Sequence, residues 1–179
     1  MMMDRLLLPF THGVDTQAID FAVLLAKSQG AILVPLSLIR LSGTRGARLE
    51  HIQQSKDFLE VVRHKAGRLG VPVEPVELST PDAVQSTGLF AREMACAGIL
   101  LFLRQGAGVL LDTGEVKQVL EHKSVPLYLV RMPAKVGMGS RLRRLSRWLQ
   151  GRLGQLIRIQ NCSTGKVVRQ CDVQTHAFE

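Results

Sequence analysis

The most concentrated chemistry in the chain lies near its carboxyl end. Arg141, Arg143, Arg144, Arg147, Arg152 and Arg158 are interleaved with Leu142, Leu145, Leu149, Leu153 and Leu156 at spacings of three and four, with Trp148 and Ile157 beside them. The spacing predicts a basic amphipathic helix over about 140–160, interrupted at Gly151 and Gly154, which cost about 1 kcal/mol each against Ala. Three uses of such a helix are open. Its leucine face can fold onto the rest of the chain or onto a dimer partner, leaving the arginines in water. Alternatively Arg141, Arg143, Arg144, Arg147, Trp148 and Arg152 can engage an anionic membrane surface or a protein partner, with guanidinium groups on phosphates and the indole at the interface. Nucleic-acid phosphates are the third use, but a single Trp gives little means of stacking on bases.

Elsewhere the reactive residue types are dispersed. His12, His51, His64, His122 and His176 have no evident partner for acid–base work, although His12 falls at the end of an apolar run. Cys162-x8-Cys171-x4-His176 matches no standard zinc-finger spacing and lacks a fourth ligand. Cys96 falls in an apolar stretch and reads as core. An odd total of three cysteines without disulfide spacing fits a reducing compartment, so the expected location is the cytoplasm, peripheral to a membrane if the basic helix takes lipid. There is no nucleophile elbow, no Walker loop and no paired catalytic carboxylates. Enzymatic activity has no positive support.

Charge divides the chain. Up to Pro133 there are 14 Lys and Arg against 13 Asp and Glu; beyond it there are 9 against 2. The formal charge of +8 therefore belongs almost wholly to the last quarter, and such asymmetry points to an anionic partner for that segment alone. The expected organisation is an α/β domain over 4–133 followed by a basic amphipathic extension over 134–179. With 46% hydrophobic but only 4% aromatic residues, the domain core must be aliphatic, which suits parallel strands buried on both faces. No apolar run approaches the ~20 residues of a membrane span.

The elements that would position any site alternate. Leu6-Leu7-Leu8 begins a strand, Asp15 or Thr16 caps a helix running to Ser28, and Gly30 stops it. A strand over 32–39 precedes a long helix from about Arg48 to Leu69, with Ile52, Phe58, Leu59, Val62 and Ala66 facing inward. An edge strand carrying two prolines follows over 71–78, then a helix opening at Thr80-Pro81-Asp82 and running to about Ala97. A strand over 99–103, a glycine-bearing loop over 106–114 and a short helix over 115–122 lead to a last strand bounded by Val125 and Val130. This βαβαβαβαβ order demands a parallel sheet with right-handed crossovers, whose ligands sit beyond the carboxyl ends of the strands where the order reverses. The loops to watch are therefore 11–16 and 104–114.

Several pieces, in order, resemble the universal stress protein family: Arg5-Leu6-Leu7-Leu8-Pro9, the Ala18/Ala22/Ala26 helix, Gly30-Ala31-Ile32-Leu33 and Gly70-Val71-Pro72-Val73. Gly98-Ile99-Leu100-Leu101 and Val125-Pro126-Leu127-Tyr128-Leu129-Val130 continue the match. The resemblance implies a flavodoxin-like three-layer α/β/α sandwich with a five-stranded parallel sheet of order 3-2-1-4-5. It also implies a homodimer through the last strand, from Val125 to Val130, and, in some members, ATP at the ends of strands one and four. On this basis the chain is expected to be a binding or regulatory module of the stress response without robust ATP binding. The alternatives are an ATP-binding protein or ATP-using enzyme of the same broad fold, and a peripheral membrane or partner adaptor acting through the basic helix.

Carried onto this sequence, the family's nucleotide site falls on Pro9, Thr11, His12, Gly106, Gly108, Thr113 and Gly114. The family's aspartate after the first strand has no counterpart before Asp15, and the glycine loop is a few residues short, with Asp112 where phosphates would lie. Gly106, Gly108, Thr113 and Gly114 either bind a phosphate or form a plain strand–helix connection capped by Asp112 or Thr113. Thr11-His12-Gly13-Val14-Asp15-Thr16 is also similar to the Ser-Gly-Gly-x-Asp-Ser loop of pyrophosphate-forming ATP enzymes, with His12 in place of the first glycine.

Overall fold

A computed structural model describes residues 3–41, 49–121 and 125–134. The order is β1 (Arg5–Phe10), α1 (Thr16–Gln29), β2 (Ile32–Arg40), α2 (Leu49–Leu69), β3 (Val76–Thr80), α3 (Ala83–Glu93), β4 (Gly98–Arg104), β5 (Ala107–Val109), α4 (Thr113–Glu121) and β6 (Leu127–Met132). Beyond Ala134 the basic extension, with the residues expected to form the arginine-rich helix and with Cys162, Cys171 and His176, lies outside the described residues. Among the described residues no helix is long and apolar enough to cross a membrane, and no cluster of His, Cys, Asp and Glu could hold a metal ion.

Five strands form the parallel sheet that the alternation demands, in the order β3-β2-β1-β4-β6. Strand alternation sends Leu6, Leu8 and Phe10 to one face, where α1 and α2 cover them with Ala18, Ile19, Ala22, Phe58 and Val62. Leu7, Val34, Leu36 and Leu38 face the other way and pack under α3 and α4 with Val84, Ala91, Val116 and Val119. The result is the expected α/β/α sandwich. Phe10 and Phe58 stack across the first layer with centroids 4.2 Å apart. Cys96 is buried, as its apolar surroundings suggest, and burial pushes its thiol pKa up.

Several boundaries differ from the sequence reading. Pro72 and Pro75 keep most of 71–75 out of the ladder, so that Val73 contributes one bridge to Leu33 and β3 proper begins at Val76. β3 is an edge strand, as expected. Thr80 ends β3 instead of starting α3; Asp82 is the cap, accepting from the Gln85 N–H, and the helix ends at Glu93 instead of Ala97. α4 starts two residues before the expected position, and the last strand is displaced to Leu127–Met132 because the Pro126 carbonyl, accepting from the Ile99 N–H, marks the start of its pairing.

The larger difference is β5. The segment read as a loop over 106–114 folds back antiparallel on β4, pairing Phe102 with Val109, Leu103 with Gly108 and Arg104 with Ala107. Gln105 and Gly106 make the two-residue turn, both with positive φ (53° and 81°), the backbone signature of a tight hairpin with the twist of its strands.

Candidate functional site

The seam between β1 and β4 is where the strand order reverses. Ala97 donates to the Arg5 carbonyl, so alternation turns the backbone of Arg5, Leu7, Pro9 and Thr11 toward β4. Direct pairing is confined to Leu6 with Gly98 and Leu7 with Ile99. Pro9, next on that side, has no N–H to offer, and the two strands part there. β6 occupies the far edge of β4 over Ile99–Arg104, so β5 must lie on the near edge, within the space left beside β1. Leu110, held at φ 73°, turns its carbonyl toward β1 and accepts from the N–H groups of Thr11 (2.8 Å) and His12 (3.3 Å). The hairpin thus stands in the crevice between β1 and β4.

Above the hairpin sits Glu115, in the first turn of α4 and 5% exposed. One carboxylate oxygen accepts from the Thr11 hydroxyl at 2.6 Å and from the Asp112 N–H at 2.8 Å; the other accepts from the Arg40 guanidinium at 2.5 Å. Three elements thus converge on one carboxylate: the end of β1, the end of β2 and the start of α4. The hydrogen bond from Arg40 raises its guanidinium pKa, against the opposing effect of burial. A carboxylate at a helix N-terminus is also favoured by the helix dipole.

The other donors near this point have partners as well. The Gly108 N–H donates to the Thr113 hydroxyl at 3.0 Å, and the Gly114 N–H donates to Asp112 at 3.2 Å. Asp112 is also the backbone start of α4, its carbonyl accepting from the Val116 N–H. A Cβ on Gly108 would stand 2.3 Å from the Leu111 carbonyl oxygen, so only glycine lets the hairpin approach the α4 turn this closely.

A second polar anchor holds the base of the hairpin. Arg104, the last residue of β4, is 11% exposed and forks onto Asp15, 7% exposed, at 2.5 and 3.3 Å. It also donates to the Gln17 side chain at 3.0 Å and the Pro133 carbonyl at 3.1 Å. Asp15 simultaneously caps α1 by accepting from the Ala18 N–H. One guanidinium therefore joins β4, α1 and the point where the chain leaves β6.

The architecture has close counterparts among solved structures. A universal stress protein from Archaeoglobus fulgidus superposes with a TM-score of 0.59 at 17% identity, over 72% of this chain and 94% of that one. One from Burkholderia pseudomallei gives 0.56 at 21%, over 71% and 95%. The A. fulgidus protein in complex with dAMP gives 0.58 at 15%, over 72% and 98%. The fold is that of the universal stress proteins. No sequence-family model matches the chain, and a comparison with curated proteins finds no match of significance.

Within this universal stress protein fold, the residues singled out from sequence gather at one end of the sheet. Pro9 marks the parting of β1 from β4; Thr11 holds Glu115 and His12 is exposed beside it, 3.3 Å from the Thr11 hydroxyl. Gly106 lies in the hairpin turn, while Gly108, Thr113 and Gly114 lie where β5 meets α4. The sequence reading did not single out Arg40, Arg104 or Glu115 as site residues. The usable signal was positional: Arg40 and Arg104 are charged residues closing apolar strands at their carboxyl ends, where ligands of such sheets are met.

Proposed function

We propose that the protein is a universal-stress-protein-like binding or regulatory module of the stress response that works without tight ATP binding. The observation that carries this reading is Glu115. Its carboxylate takes the Thr11 hydroxyl, the Asp112 N–H and the Arg40 guanidinium together, so a buried negative charge already stands where a phosphate would need those donors. The hairpin supports it, because β5 fills the space between β1 and β4 that an open seam would offer a ligand. A solved relative in fold is a complex with dAMP, which makes an adenine nucleotide the right challenge. Equilibrium titration with ATP is expected to give no saturable binding at millimolar ligand; micromolar binding would restore the nucleotide-binding alternative.

Two partner proposals accompany it. Among the described residues β6 pairs only with β4, and its residues Leu127 to Val130 are half-buried, which supports association of two copies through that edge. The extension, with its surplus of arginines, supports engagement of an anionic membrane surface or acidic partner. Co-sedimentation with anionic vesicles at two salt concentrations tests the second proposal: binding that survives deletion of 134–179 overturns it.

A further inference from the structure

The donors around Glu115 form more than a helix start. Arg40 comes from β2, Thr11 from the end of β1 and the Asp112 N–H from the turn into α4, and no two of these segments are adjacent in sequence. Their convergence on a single carboxylate has the composition of an oxyanion receptor: one guanidinium, one hydroxyl and one backbone amide. Of the charged pair only Glu115 is deeply buried; the Arg40 side chain keeps 51% of its surface open, so the cation reaches solvent.

We propose that Glu115 is a tethered plug in an oxyanion receptor made by Thr11, Arg40 and the Asp112 N–H, so that removing its carboxylate lets a free oxyanion take the same place. The inference rests on the proposed function, because it supplies the reason that the crevice does not hold a phosphate in the unaltered protein. It concerns this chain's own residues: the plug is a side chain of α4, and Arg40 is the cation it neutralises. Removing it leaves a cation, a hydroxyl and an amide without their acceptor. Such a group recovers its pairing from any oxyanion small enough to enter, whether carboxylate or phosphate.

The test is chemical rescue of Glu115→Ala in the full chain. Thermal unfolding is followed in sodium chloride, sodium acetate and sodium phosphate at matched ionic strength, beside the unaltered protein. Because phosphate stabilises folded proteins generally, only the excess over the unaltered protein counts. The expected result is a saturable rise in the melting temperature of Glu115→Ala, by several degrees, in acetate or phosphate and not in chloride. A larger response to acetate marks a carboxylate-sized opening; a larger response to phosphate marks room for a tetrahedral ion. The excess should vanish in Glu115→Ala/Arg40→Gln. Equal responses in variant and unaltered protein, or an excess that persists without Arg40, overturn the proposal. If Glu115→Ala does not fold, Glu115→Ser vacates the carboxylate's place and keeps a hydroxyl in the first turn of the helix. Its Thr11 and Asp112 amide resonances are then expected to shift saturably with inorganic phosphate, and their failure to shift overturns the proposal. Failure of rescue while the unaltered protein ignores ATP leaves the proposed function standing; ATP binding by the unaltered protein defeats that function whatever the variant does.

Discussion

The two halves of the β1–β4 seam are held by different physics. At the amino end, Leu6 and Leu7 pair directly with Gly98 and Ile99, and their side chains are wholly buried in the two aliphatic layers. At the carboxyl end, beyond Pro9, the ladder is replaced by an inserted hairpin whose cohesion comes from Leu110, Arg104 with Asp15, and Arg40 with Thr11 and Glu115. The first half is stabilised mainly by area removed from water, which is non-directional and tolerant of detail. The second depends on geometry, and a polar group there that loses its partner is left buried and unsatisfied. Stability is expected to reside in the first half and functional tuning in the second.

Substitutions in each half can break that contrast. Leu6→Ala, at a fully buried position under α1 and α2, is expected to lower stability by about 4 kcal/mol, read as a lower urea midpoint at unchanged slope. An effect under about 1 kcal/mol would show that the amino end is not the stable half. Arg104→Leu leaves Asp15 buried without its guanidinium and is expected to lose about 3 kcal/mol. Its imprint should be local, with faster amide exchange at Ala107 and Val109 than in α2; uniform acceleration would mean that the hairpin is not a separable unit.

Gly108→Ala sharpens the comparison further. The new methyl group meets the Leu111 carbonyl and the backbone of Asp112 and Thr113, so about 2 kcal/mol of destabilisation is expected, with chemical shifts changing in α4 and not in α1. The smallest effect belongs to the partly exposed pair at the amino end. Arg5 donates to Glu74 through two nitrogens and holds its carboxyl below the ordinary glutamate pKa. A depressed carboxyl stabilises the fold above its unfolded pKa and loses that contribution as the pH falls through the folded value. Glu74→Gln should therefore flatten slightly the loss of stability below about pH 4.3, and change nothing near pH 7 beyond the modest worth of an exposed pair.

The same contrast decides what could be read from the sequence. The apolar half was legible: the runs at Leu6-Leu7-Leu8 and 32–39 and the stop at Gly30 are signals contained within a dozen residues and are found in place, and the cap read as Asp15 or Thr16 is Asp15. The helix-facing residues Phe58, Val62 and Ala66 followed from periodicity. Of the polar half only the helix start was legible, read as capped by Asp112 or Thr113 and found at Asp112. β5 has three residues, too few to show a period, and its turn begins with Gln105, a residue type that seldom adopts positive φ. Arg40 meets Glu115 across 75 positions and Arg104 meets Asp15 across 89, pairings that exist only once the sheet has formed. Thr113 and Gly114 were read as phosphate candidates beside Asp112, whereas Glu115, which accepts from the Asp112 N–H, is an ordinary residue for a helix start and gave no signal.

Closure of the crevice between β1 and β4 by the protein's own hairpin and carboxylate is what the proposed function requires. Its most direct test follows the backbone amides of Thr11, Gly108, Asp112 and Gly114 by NMR while AMP is added to the full chain. Closure predicts that these four resonances stay in place up to millimolar AMP, with no saturable displacement. Concerted shifts of the four that saturate at micromolar AMP would contradict it.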